Sequence, residues 1–147
     1  MVPPIDDGAS PTPIDRPVLE RLRSRFTGSR MFESAEIVAE GKLHLRIELS
    51  GNYYPRSVSA YIEIRWYRND DFNFQYQEAH EDNTWLCRWD RHPNAHNSRE
   101  HFHPPPAASR IDAEDAQWPA DHRDICQLVL DRIEERIETL WESGAHC

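Results

Sequence analysis

The stretch VSAYIEIRWYRNDDFNFQYQ, residues 58–77, decides the fold. Val58, Ala60, Ile62, Ile64 and Trp66 hold every second position, and Ser59, Tyr61, Glu63 and Arg65 fill the gaps. The alternation resumes with Phe72, Phe74 and Tyr76 against Asn73, Gln75 and Gln77. A period of two sends successive side chains to opposite faces of a strand. The intervening Arg68-Asn69-Asp70-Asp71 is tight-turn chemistry. The stretch therefore predicts two antiparallel strands that share one apolar and one wet face.

Working outward, the same period runs through Leu43, Leu45, Ile47 and Leu49, set against His44, Arg46 and Glu48. SGNYYPRS (50–57) and HEDN (80–83) read as turns, and TWLCRWD (84–90) as a last strand. Short connections favour a four-stranded antiparallel meander. Its apolar face needs a cover. Ile125, Leu128, Val129, Ile133, Ile137, Leu140 and Trp141 form one stripe of a long C-terminal helix, with Pro119 near its start and Gly144 past its end. A short N-terminal helix carries Val18, Leu19, Leu22 and Phe26 behind an Asp15 cap and Pro17, and Gly28 stops it. Its outer face holds Arg16, Arg21, Arg23 and Arg25, with Arg30 just after, which suits a solvated face or a contact for phosphate or an acidic partner. The fold class is α+β. Residues 1–14, with four prolines, read as a disordered or loosely docked tail, and residues 15–147 as a single domain. Residues 91–117 read as one long loop, a length that is often functional.

Bulk properties narrow the classes. The 147 residues suffice for one real core, and the net charge is −9 with a single lysine, Lys42, beside 16 arginines. That balance suits a salty, GC-rich cell. An acidic chain is a poor general nucleic-acid binder, because phosphate neutralisation needs cations. Residues 87–106 nevertheless carry +1, against −4 before and −6 after them. There is no apolar run of 18 residues and no signal-peptide pattern, so a cytoplasmic protein is expected. Cys87, Cys126 and Cys147 lack CxxC spacing, and the first two read as buried apolar groups. Five glycines without a phosphate-loop pattern argue against nucleotide-binding folds, and neither Ser98 nor Ser109 has a nucleophile-elbow context.

Chemistry concentrates in CRWDRHPNAHNSREHFHPPP, residues 87–106, with four of the eight histidines. Arg88 and Asp90 are two apart on a strand, so they share a face, while Trp89 points to the core. His92, His96, Arg99, His101 and His103 follow. Histidine exchanges protons near neutrality, arginine forks match phosphate oxygens, and a carboxylate can orient an imidazole. Together these groups could supply the base, acid and cation of a ribonuclease that needs no metal. A second possibility is a site for zinc or another transition metal, with Asp90, His101 and His103 as ligands, although the spacing is no zinc signature. A third is a loop whose polar groups only satisfy one another. Pro104-Pro105-Pro106 excludes helix and stiffens the exit.

Arg88-Trp89-Asp90, then His92-Pro93, then His101-Phe102-His103, preceded by the aromatic FNFQYQ (72–77), resembles the TumE family of toxin–antitoxin proteins across roughly residues 40–140. Arg91 stands where that family more often has Asn, the His-Pro order is inverted, and HFHPPP replaces a Pro-His-His run. The resemblance implies a small toxin neutralised by an antitoxin partner and acting on RNA. The reading is thus a toxin-like, RNA-cleaving protein with Arg88, Asp90, His92, His96, Arg99, His101 and His103 as candidate catalytic residues. The alternative is a non-catalytic domain that binds a metal or a partner through the same segment.

Overall fold

The computed structural model describes residues 12–92 and 100–144. Helix α1 spans Arg16–Phe26, and seven strands follow: β1 Phe32–Val38, β2 His44–Leu49, β3 Ser59–Trp66, β4 Phe72–Ala79, β5 Thr84–Arg91, β6 Glu100–His103 and β7 Glu114–Asp115. Helix α2, His122–Gly144, closes the order. The strands form one antiparallel sheet in sequence order, a pure meander.

The sheet therefore has seven strands among the described residues, not the four expected. Strand β1 escaped because FESAEIV alternates poorly and, at the sheet edge, fully buries only Ala35. Strands β6 and β7 lie inside the expected loop of residues 91–117. They are four and two residues long and hold one hydrophobic residue between them, Phe102, so pairing rather than period defines them.

The local causes of the other elements are plain. Asp15 accepts the Val18 N–H at 3.2 Å and caps α1, with Pro17 in the first turn. Gly28, at φ +87°, takes the left-handed turn after the helix. In the β3–β4 turn the Asn69 side-chain Oδ1 accepts from Asp71 N at 3.0 Å, while Asp70 adopts φ +68°. Ahead of α1, Asp15 N donates to Trp66 O at 2.7 Å and Arg68 N to Pro13 O at 2.9 Å, which ties this segment to the end of β3.

The core lies between the apolar sheet face and both helices. Leu45, Ile47, Ile62, Ile64, Trp66, Phe72, Phe74 and Trp89 meet Leu19 and Leu22 of α1 and Ile125, Val129 and Ile133 of α2. Cys87 and Cys126 are buried in this layer as expected. Trp141, expected on the buried stripe, is half-exposed and donates its indole N–H to Tyr53 O at 2.8 Å. On α1, Arg23 donates to Ala35 O and Arg25 to Arg123 O, both at 2.7 Å, so these two arginines bind the chain itself.

The opposite sheet face is polar. Arg46 pairs with Glu48 at 2.7 Å and Glu63 at 3.0 Å and stacks over Tyr61, and this half is partly exposed. Toward β5 and β6 the polar face becomes buried, and the candidate site lies there.

Candidate functional site

Strand register assembles the site. Across β4–β5, Asn73 stands opposite Asp90 and Gln75 opposite Arg88. Across β5–β6, Arg88 stands opposite His103 and Asp90 opposite His101. The two-residue period thus aligns Arg88, Asp90, His101 and His103 on one face. Trp89 and Phe102 point into the core, with ring centroids 5.5 Å apart.

Asp90 is the centre. It is fully buried, and its Oδ2 accepts from Arg88 Nε at 3.1 Å. His103 Nε2 lies 2.8 Å from the same oxygen, an ion contact whose angle falls outside hydrogen-bond geometry. His103 Nδ1 faces Ser109 O at 3.4 Å, so oxygen acceptors lie near both ring nitrogens. His92 Nε2 is 3.8 Å from Asp90 Oδ2, and the His92 and His101 rings are 5.4 Å apart. His101 Nε2 lies 3.9 Å from Asp115 Oδ1, across the β6–β7 pair. Asp90 Oδ1 is buried with no hydrogen-bond partner among the described residues.

The charges act on one another. Burial holds the His101 imidazole below its ordinary value of 6.5, and the neighbouring His92 and His103 lower it further, while Asp90 and Asp115 oppose the shift. A neutral ring at neutral pH can accept a proton. Cys87 and Cys126 are held as thiols, the less nucleophilic form. Burial pushes the Cys87 thiol up to about 12 and the Cys126 thiol up to about 11.

Of the expected residues, Arg88, Asp90, His92, His101 and His103 come together. His96 and Arg99 lie outside the described residues. The expected ligand set Asp90, His101 and His103 does not share one centre. His101 faces Asp115, and the Arg88 guanidinium already lies against the Asp90 oxygen that His103 approaches. Among the described residues no group of three His, Cys, Asp or Glu side chains is arranged to hold a metal ion.

Sequence reasoning missed the supports. The Trp118 indole N–H is shared by Asp90 O at 3.1 Å and His101 O at 3.2 Å, the carbonyls of an opposed pair. Arg91 pairs with Glu100 at 2.9 Å and donates to Pro119 O at 2.7 Å, and Trp118 N donates to Glu100 at 3.0 Å. These bonds fasten the segment before α2 onto β5 and β6. The adjacent Trp118-Pro119 was the only local signal, and it named no partner.

The architecture is that of a small α+β protein: a meander backed by two helices, with an acid–imidazole cluster buried at one side of the sheet. The family model described as Toxin TumE matches residues 18–137, and the chain belongs to that family. The match begins within α1, earlier than the motif resemblance. No similar curated protein and no similar solved structure was found. Among the described residues no helix is long and apolar enough to cross a membrane.

Proposed function

We propose that this chain is the toxin of a toxin–antitoxin pair and that it cleaves RNA with the cluster around Asp90. The observation that carries the reading is the convergence of Arg88, His92 and His103 on one buried carboxylate, with His101 directly across the strand pair. His101, held neutral, accepts the proton of a ribose 2′-hydroxyl. The 2′-oxygen attacks the phosphorus, and the 5′-oxygen leaves with a proton from His103, which Asp90 orients. Arg88 offsets negative charge that builds on the phosphate. His92, the least buried of the three imidazoles, meets the substrate first. The products are a 2′,3′-cyclic phosphate and a 5′-hydroxyl, and the scheme needs no metal ion.

Induced expression should arrest growth with the wild type and not with Asp90→Asn or His101→Ala. Purified wild type should cut a single-stranded RNA oligonucleotide to those ends in the presence of EDTA. Growth arrest with intact RNA would place the toxic target elsewhere. Neither arrest nor cleavage would sink the reading.

A second reading rests on the burial of the cluster, with Asp90 at 0%, His101 at 3% and His103 at 5% exposure. In it the domain is non-catalytic and binds a metal or a partner through the same segment. Stoichiometric zinc retained by the wild type and lost in a His101→Ala/His103→Ala variant would favour it.

A further inference from the structure

Directly behind the acid–imidazole cluster, on the apolar side of β5 and β6, is an open cavity of about 320 Å³. Its walls are aromatic: Trp85 and Trp89 from β5, Phe102 from β6 and Trp118 from the segment before α2. Arg132 and Arg136 of α2 lie at one side of the opening, and Glu114 of β7, the register partner of Phe102, lies at the other. The volume is that of a pocket for a small molecule or for one or two side chains.

The wall's polar groups already have partners. The Trp118 N–H is held by two backbone carbonyls. The Tyr76 hydroxyl donates to Glu78 at 2.8 Å. Arg136 pairs with Glu78 through two nitrogens at 3.0 and 2.9 Å and lies over the Trp85 ring. A polar metabolite entering here would lose hydration and gain few hydrogen bonds. The interior suits hydrocarbon or an aromatic ring. The outer charges differ in kind. Arg132 is more than half exposed and paired only loosely with Glu135 at 3.4 Å, while Glu114 is exposed across the opening. An apolar, aromatic floor inside a charged rim is the anatomy of a protein interface, with Trp and Arg in the positions where binding energy concentrates.

We propose that this cavity receives one large apolar side chain of a partner polypeptide. In that partner the side chain is flanked by an acidic residue that meets Arg132 and a basic residue that meets Glu114. The charge pattern of the rim selects this occupant, since a neutral aromatic molecule would use neither side. The proposal goes beyond RNA cleavage and does not depend on it. A partner seated here would press on Trp118, whose N–H bridges the Asp90 and His101 carbonyls.

The test selects peptides from a displayed library of random twelve-residue sequences on the full-length protein and measures synthetic copies by calorimetry. Selected peptides should share a large apolar residue beside Asp or Glu. Ala116→Trp, which adds bulk at the cavity wall, should weaken them about tenfold or more. Arg132→Glu, an exposed change that keeps the fold, should weaken them several-fold, and a peptide whose acid is replaced by Lys should recover on that variant. Arg21→Glu, on α1, is the control and should leave binding unchanged. Binding unaffected by both Ala116→Trp and Arg132→Glu would overturn the proposal, as would an empty selection. N-acetyl-tryptophanamide binding as tightly as the best peptide would also overturn it, in favour of a small aromatic ligand. Dimerisation of the wild type that Ala116→Trp abolishes would overturn it in favour of a second copy. None of these readouts requires activity on RNA.

Discussion

Glu78 on β4 and Asp90 on β5 are both fully buried carboxylates, and they are built differently. Glu78 lies on the helix side of the sheet, and both of its oxygens are served. Oε2 accepts from Tyr76 at 2.8 Å and Arg136 Nε at 3.0 Å, and Oε1 lies 2.9 Å from Arg136 Nη2 and 2.7 Å from His80. Behind Tyr76 stands Tyr54, hydroxyl to hydroxyl at 2.6 Å, and burial raises both phenols far above their ordinary range, so they stay protonated as donors. This is a rivet between α2 and the sheet, saturated by its own partners. Asp90 lies on the other face with one oxygen crowded by Arg88 and His103. Its second oxygen has no hydrogen-bond partner among the described residues. Buried polar groups are normally satisfied, and an exception calls for an explanation in function. The difference teaches that burial of a charge does not by itself single out a candidate site, and that incomplete pairing beside proton-exchanging groups is what distinguishes Asp90 from Glu78.

The strongest way to break this comparison is to neutralise each centre in turn. Asp90→Asn should lower RNA cleavage by about 100-fold or more, with only a modest change in melting temperature. Arg136→Ala leaves Glu78 buried without its main partner and should cost about 3–5 kcal/mol in urea unfolding, while the folded fraction stays active. An Asp90→Asn protein that unfolds, or an Arg136→Ala protein as stable as the wild type, would erase the distinction. Replacing both partners, as Glu78→Gln with Arg136→Met, should return part of that stability, because no unpaired charge remains.

A smaller effect sharpens the Asp90 side through pH. The folded protein holds His101 below its ordinary value of 6.5, so the unfolded chain binds the proton more readily. Stability contributed by the neutral ring is therefore present above about pH 6.5 and declines as pH falls below it. His101→Gln should flatten that decline in urea midpoints measured between about pH 7.5 and 5.5. The same substitution should lower the cleavage rate, and what cleavage remains should lack the acid-side fall. Equal slopes for both proteins would mean that His101 is not the group held neutral. The smallest change expected is Trp118→Phe. It keeps an aromatic side chain, smaller than the indole, and removes the N–H shared by Asp90 O and His101 O, at a cost of about 1 kcal/mol in thermal unfolding.

Legibility followed range. Alternation read two residues at a time located β2 to β5 and aligned Arg88 with Asp90 away from Trp89, because a strand's period is a property of the chain alone. The Asp15 cap and Gly28 stop were equally local. Strands β6 and β7 were not legible, since four and two residues with a single Phe102 carry no period. Arg136 and Glu78 are 58 residues apart and Trp118 is 28 from Asp90, distances over which no spacing rule speaks.

What the sequence by itself determined was therefore the inventory and part of its orientation: a meander, its covering helix, and Arg88 with Asp90 on the face opposite Trp89. Only the tertiary structure decided that this wet face is buried at β5 and β6. It alone brought His103 rather than His101 to within 2.8 Å of Asp90. It also built an aromatic cavity on the reverse side. The physical reason is that periodicity sets the direction of a side chain, whereas register, burial and pairing arise only when strands and helices distant in sequence come into contact.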